Sequence, residues 1–326
     1  MERIEYLKKL NASGILPGPE NCICGNKNLN IQKLTSKKSG FCFRCIVKNC
    51  KRYYPIRANS FFSKFTHMSI DSVIEIIKCN LCFKFNIKKA KKYLAEEKNI
   101  LYSSNSIREI YKEMRKTIYL YYILKYESEE FAQENRWAYY AADESEFTHI
   151  NNKAIWVVNV IDTNTKEFRL EVTKSREAIN LKKFISKFIP PGNFIITDGW
   201  AGYSWLNDNG YERLEHNHGQ NDWGSGNEAT SHSENIWNVL KNEIKSTYKS
   251  IQNKDFLYLL REAEFKYNNR NKSYQDMIKE FFDCYNLISN FDDYGIEEDD
   301  SFYTNDTLNN LLGESSEVNN LSENED

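Results

Sequence analysis

Apolar residues recur at helical spacing in the first part of the chain. Val73, Ile76 and Ile77 fall on one side of a predicted helix that Ser69 can cap. Two further helices are predicted, over residues 87–97 and 104–126. Two short helices joined by a brief turn are typical of a helix-turn-helix, although any small helical subdomain has the same pattern.

The pattern changes to short strands after Ala141. Strands are predicted just before Asp143 and over residues 155–161, 168–173, 194–197 and 213–216. A helix over residues 176–188 crosses over to the strand that ends at Asp198, and another helix begins near Glu234. This order predicts an α/β fold, a ribonuclease H-like mixed sheet with helices.

Three carboxylates lie where a strand or a helix would hold them rigidly. Asp143 follows an aromatic run, Asp198 ends a β-rich run, and Glu234 opens an amphipathic helix. Such acids suit hard divalent cations, and two ions about 4 Å apart can activate an attacking hydroxyl and stabilise the leaving oxygen of a phosphodiester. Each position also has an ordinary explanation, because the helix dipole favours acids at helix N-termini and acids are common at strand ends.

The formal net charge of −2 hides a strong asymmetry. No Lys or Arg follows Lys279, whereas 13 of the 46 acidic residues lie between Asp283 and Asp326, so residues 1–282 carry 44 basic and 33 acidic residues. The basic part predicts a phosphate-binding surface, although a solvated lysine-rich face has the same composition. The acidic remainder is predicted to be disordered.

Five of the eight cysteines crowd into a short N-terminal segment. The chain begins without a secretory signal, so this cluster favours a metal site over a disulfide framework. Structural zinc needs four thiolate or imidazole ligands in a tetrahedron, and the spacing favours Cys22, Cys24, Cys45 and Cys50. Cys42 is then either a packing residue or a substitute for Cys45, and a reduced, buried cluster without metal is the alternative.

The predicted organisation has four parts. They are a zinc-binding module over residues 1–65, a helical DNA-binding region over 66–136, a catalytic domain over 137–288 and an acidic tail over 289–326. No apolar stretch is long enough to span a bilayer, so we expect no membrane partner. We expect a cytoplasmic protein, or a nuclear one if the host is eukaryotic, and not a secreted one.

Several motifs together resemble Merlin-type DDE transposases and their bacterial insertion-sequence relatives. They are the cysteine module, Ala-Asp-Glu-Ser-Glu-Phe, Ile-Ile-Thr-Asp-Gly-Trp-Ala-Gly-Tyr, Glu-His-Asn-His and Ser-Glu-Asn-Ile-Trp-Asn-Val-Leu-Lys. The resemblance covers roughly residues 15–270, with 35 residues between Asp198 and Glu234. Ala-Ala before Asp143 and Ala-Thr-Ser-His-Ser before Glu234 depart from the family pattern.

The resemblance implies a ribonuclease H-like catalytic domain in which Asp143, Asp198 and Glu234 form the DDE triad and bind two magnesium or manganese ions. It also implies cut-and-paste movement of DNA: the N-terminal region recognises terminal inverted repeats, and a homo-oligomeric assembly inserts the element into target DNA. Two alternatives stay open. One is a domesticated, non-catalytic, zinc-containing DNA-binding protein, and the other is a ribonuclease H-fold nuclease without strand transfer.

Supporting roles fall to three further residues. His216 and His218 follow a predicted strand and are candidates to face the scissile phosphate or to orient water, although a histidine near a sheet edge is more often structural. Lys241, on the predicted catalytic helix, is available to a DNA phosphate. Packing roles are predicted for Trp200, Tyr203 and Trp237.

Overall fold

The computed structural model describes residues 2–36, 40–128, 137–150, 153–173, 175–216, 231–247 and 256–289. The chain forms two compact units, one built from residues 2–123 and 269–289 and the other from residues 124–268. None of the helices within the described ranges is both long and apolar enough to cross a bilayer. The predictions for His218 and for the acidic tail fall outside these residues.

The first unit begins with helix α1 (Arg3–Ala12) and a small antiparallel sheet. The strands of this sheet, in spatial order, are β1 (Leu29–Lys33), β2 (Phe41–Cys45) and β3 (Tyr53–Pro55). These strands are not predicted from the sequence, because segments of three to five residues are too short to show a clear alternation of apolar and polar positions.

Three helices of the first unit follow the predicted pattern, α2 (Ile70–Leu81), α3 (Ile87–Lys98) and the first part of α4 (Ser104–Ser128). Helix α8 (Tyr274–Ser289) also belongs to this unit. Ser69 caps α2 by accepting from the Ser72 N–H at 3.0 Å, and Asn86 caps α3 by accepting from the Lys89 N–H at 3.0 Å. The ring of Phe61 packs edge-on against Phe281 of α8. The domain boundaries drawn from the sequence stay predictions.

The second unit is built on a five-stranded mixed sheet. Its strands along the chain are β4 (Tyr139–Ile150), β5 (Lys153–Asp162), β6 (Phe168–Thr173), β7 (Phe194–Thr197) and β8 (Glu212–Glu215). Their spatial order is β6-β5-β4-β7-β8, in which β4, β5 and β6 are antiparallel and β7 and β8 run parallel to β4. The predicted ribonuclease H-like mixed α/β fold is confirmed.

Three helices complete this unit, α5 (Ala178–Phe188), α6 (Ser231–Thr247) and α7 (Phe256–Asn268). α5 is the crossover between β6 and β7, as parallel pairing of β7 with β4 requires. α6 packs on β4, and α7 packs on β6 and on α6. Strand β4 therefore has β7 as a neighbour within the sheet and α6 packed on it.

Strand β4 is longer than predicted, and Asp143 lies inside it rather than just after it. The segment after Asp143 is polar and shows no apolar alternation, so the sequence pattern ended the strand early. Pairing with β5 extends it, from Tyr140 opposite Asp162 to Ile150 opposite Lys153, with a register shift between Glu146 and Thr148. A long antiparallel partner therefore stabilises a strand that local sequence does not indicate.

Candidate active site

Asp143 and Asp198 occupy matching positions on neighbouring strands. β4 and β7 pair in parallel, with Ala141 opposite Ile196, and the two aspartates lie two residues further along each chain. Paired strands lie about 4.8 Å apart. The Asp198 charge is among the groups that raise the pKa of Asp143, as expected for neighbouring carboxylates.

Both carboxylate oxygens of Asp143 accept a hydrogen bond. Oδ1 accepts from the backbone N–H of Glu144 at 2.9 Å, and Oδ2 accepts from the indole Nε1–H of Trp237 on α6 at 2.8 Å. Burial raises the pKa of Asp143 to about 7, and the charges of Glu144 and Asp198 add to that effect. No cationic side chain in the described part of the chain bonds to this carboxylate, so a divalent cation would offset its buried charge.

Asp198 follows β7 in a turn held by several hydrogen bonds. Its Oδ1 accepts from the backbone N–H of Trp200 at 2.9 Å. The Arg213 side chain on β8 donates from Nε to the Thr197 hydroxyl at 3.0 Å and from NH2 to the Asp198 carbonyl at 2.8 Å. These contacts fix the backbone on both sides of the carboxylate, so it has a defined direction at the end of the strand.

Helix α6 lies along β4 in a fixed register. Trp237 bonds to Asp143, and Lys241, one turn later, donates from Nζ to the Ser145 hydroxyl at 2.6 Å. Glu234 belongs to the first turn of α6, one turn before Trp237. The helix start that the sequence predicted therefore lies one turn before the residue that bonds to Asp143.

Of the two histidines predicted to support the site, the structure describes His216. His216 directly follows β8, is half-buried, and its backbone N–H donates to the Thr197 carbonyl at 3.1 Å. It thus lies at the same end of the sheet as Asp198. His218 lies outside the described residues. Lys241 reaches the site region through Ser145.

Two hydrogen bonds to acids of β4 are not predicted from the sequence. Glu144 points away from Asp143, as successive strand residues do, and accepts from the Tyr203 hydroxyl at 2.6 Å. Tyr203 is fully buried and was predicted to pack, as was Trp237, yet both donate to acids of β4. The sequence signal for the contact of Trp237 with Asp143 was the spacing of three residues between Glu234 and Trp237 on one helix.

The four favoured cysteines come together in the first unit. Their sulfur atoms all lie within 4.8 Å of one another, with Cys22 to Cys50 at 3.3 Å and Cys24 to Cys45 at 3.7 Å. A tetrahedron with zinc–sulfur bonds of about 2.3 Å has sulfur atoms about 3.8 Å apart, so these thiols fit a zinc ion. Cys42 is buried on β2 outside this group.

Neighbouring donors support thiolates at this cluster. The Tyr54 hydroxyl donates to the Cys22 sulfur at 3.3 Å, and the Asn26 side-chain amide donates to the Cys45 sulfur at 3.3 Å. A hydrogen bond from the backbone N–H of Cys24, together with that from Tyr54, lowers the pKa of Cys22 to about 6. Donors that stabilise thiolate sulfur are typical of structural zinc sites.

The protein-family comparison covers the unit that holds the aspartates. Residues 135–268 match the family model of the ISXO2-like transposase domain. Over this range the chain is similar to insertion-sequence transposases. The matched range contains β4 to β8 together with α5, α6 and α7, and therefore all three predicted acids. No curated protein matches the chain.

A solved structure with a similar chain is the simian T-cell lymphotropic virus intasome in complex with the PP2A regulatory subunit B56 gamma, determined by cryo-electron microscopy. The two chains are 13% identical with a TM-score of 0.29, and the match covers 41% of this chain. It spans 50% of the length of that chain. A likeness this weak supports no conclusion about function.

The pKa of Asp143 gives a testable pH dependence. With its pKa raised to about 7, the carboxyl holds a proton below pH 7. A bound cation must displace that proton, so we expect manganese affinity to rise up to about tenfold per pH unit and to level off above pH 7. Trp237→Phe removes the indole hydrogen bond that favours the ionised Asp143 carboxylate, so the pKa of Asp143 should rise further. The pH above which manganese affinity stays constant should then be higher.

Electron paramagnetic resonance of manganese binding to the zinc-loaded chain measures this dependence between pH 5.5 and 8.5. Trp137→Phe is the matched control, because the Trp137 indole is 65% exposed. Identical curves for Trp237→Phe and the unaltered chain would rule out a role for the indole bond at this carboxylate.

Proposed function

We propose that this chain is a DDE transposase that cleaves DNA at the ends of a mobile element and joins those ends to target DNA. The observation that carries the proposal is the pair of aspartates at matching positions of β4 and β7, with α6 bonded to one of them through Trp237. This arrangement lies inside the range that matches a transposase domain. Asp143, Asp198 and Glu234 are the proposed catalytic triad.

The proposed acids would hold two magnesium or manganese ions. Bound ions would supply activation of the attacking hydroxyl and stabilisation of the leaving oxygen. The protein's own part is to orient the acids, through the Trp237 and Glu144 bonds to Asp143 and the Trp200 bond to Asp198. In the first step water attacks phosphorus and the 3′-oxygen leaves. In the second step that 3′-hydroxyl attacks a target phosphodiester and displaces its 3′-oxygen.

The first unit offers a basic surface for the element ends. Lys88, Lys89, Lys91 and Lys92 are all exposed in the first half of α3, which has no acid in its first turn. Cations are unfavourable near a helix N-terminus because the macrodipole is positive there, so helix stability does not explain this cluster. Binding of DNA phosphates would explain the lysine cluster. In addition, α2 and α3 follow one another as the two helices of a helix-turn-helix do.

The cysteine cluster is proposed to hold one structural zinc ion. We expect one zinc per chain by elemental analysis, and a fraction far below one for Cys24→Ser, because a structural site needs four ligands. Cys42→Ser is the control and should keep the zinc, since Cys42 lies outside the cluster. Equal zinc content in Cys24→Ser and the unaltered chain would contradict this ligand set.

Strand transfer with magnesium tests the proposed function. The substrate is DNA carrying the inverted repeats that flank the coding sequence, and joined products should form with a plasmid target. Cleavage without joining would favour a nuclease on the same fold. Salt-dependent DNA binding without any cleavage would favour a domesticated DNA-binding protein. Size-exclusion chromatography with light scattering, with and without end DNA, tests the expected homo-oligomer.

A further inference from the structure

Arg176 is an exposed arginine whose guanidinium group lies between two indole rings. Its Cζ is 3.9 Å from the centre of the Trp200 ring and 5.4 Å from the centre of the Trp156 ring. Within the described residues, neither a hydrogen bond nor an ion pair engages this guanidinium. Its N–H donors are therefore available, while the two rings restrict its position.

The backbone connects this arginine to Asp198. The Trp200 indole N–H donates to the Arg176 carbonyl at 3.2 Å, and the Trp200 backbone N–H donates to Asp198 Oδ1 at 2.9 Å. Gly202 is needed for this packing, because a Cβ there would lie 2.4 Å from the Trp200 Nε1. One tryptophan thus fixes both a proposed catalytic acid and the segment that carries Arg176.

The charge of Arg176 acts on Glu144, the residue next to Asp143 in β4. Burial raises the pKa of Glu144, and attraction to the Arg176 charge partly opposes that shift. The guanidinium is therefore within electrostatic reach of Glu144 and forms no ion pair with it in the described part of the chain. A phosphodiester that approaches Asp198 would offer the Arg176 guanidinium a negative charge and acceptor oxygens.

We propose that Arg176 binds a phosphate of the DNA strand that enters the site, next to the phosphate that is cleaved; this rests on the proposed function. An arginine fork matches two phosphate oxygens, and its stacking on indoles reduces the freedom it loses on binding. The site would read no base, because a phosphate contact positions the strand without specifying sequence.

The salt dependence of DNA binding tests this proposal on the full chain. Affinity for a random-sequence duplex is measured across a potassium chloride series with calcium in place of magnesium. Loss of one phosphate contact in Arg176→Gln should make the slope of log K against log salt less negative by about 0.9. Arg176→Lys keeps the charge and should keep the slope, with weaker binding, because lysine cannot form the fork.

Two further variants complete the test. Lys183→Gln removes one charge from an exposed position of α5 and should leave the slope unchanged. Trp200→Leu removes the stacking and should weaken binding while the slope stays the same. Thermal melting checks that each variant is folded.

Equal slopes and equal affinities for folded Arg176→Gln and the unaltered chain would overturn the Arg176 site alone. Failure of the unaltered chain to bind DNA at all would overturn the proposed function. The binding measurement contains calcium in place of magnesium, so its result does not depend on whether the chain cleaves DNA.

Discussion

Asp198→Asn is expected to lower metal-dependent DNA cleavage by about a thousandfold or more. A metal-ion site supplies several kcal/mol of charge stabilisation in the transition state, and each 1.36 kcal/mol is a factor of ten in rate. The asparagine oxygen can still accept from the Trp200 N–H, so the turn after β7 should keep its shape. The lost rate would then reflect a missing ligand charge rather than a changed backbone.

Single-turnover cleavage of end DNA with magnesium measures this loss. Asp208→Asn is the matched control, since Asp208 is an exposed acid in the same unit. It should cleave at the rate of the unaltered chain. Full activity of Asp198→Asn would remove Asp198 from the proposed triad, and a similar loss in Asp208→Asn would point to a general charge effect.

Lys266→Met is expected to destabilise the second unit by about 3–5 kcal/mol. Lys266 is 3% exposed and donates from Nζ to Glu243 Oε1 on α6 at 2.9 Å and to Glu262 Oε1 on α7 at 2.5 Å. Methionine fills a similar volume but removes the ammonium group that bonds to both carboxylates. Because α6 carries Trp237 and Glu234, this ion group also holds the proposed site together.

Urea unfolding followed by tryptophan fluorescence measures this stability. All six tryptophans lie between Trp137 and Trp237, so the signal reports on the second unit. Lys183→Met, at an exposed position, should change the free energy of unfolding by less than about 0.5 kcal/mol. A Lys266→Met variant as stable as the unaltered chain would show that these two ion pairs contribute little to stability.

The helices of the first unit could be predicted because their signals are local. Ser69 before an apolar stripe and Asn86 before a lysine-rich stretch both cap helices in the structure. The small sheet β1–β3 was missed, since strands of three to five residues show no clear alternation of apolar and polar positions. Likewise β4 continues past Asp143 only because β5 pairs with it, which no window of local sequence reports.

The sequence by itself determined the order of strands β4 to β8, the four cysteines of the cluster and the three acids as candidates. Spacing and apolar periodicity suffice for these, because they depend on neighbours along the chain. The tertiary structure decided which side chains meet: Trp237 with Asp143, Tyr203 with Glu144, and Arg176 with two indoles. Such contacts depend on strand register and helix packing, which long-range pairing sets and local sequence does not encode.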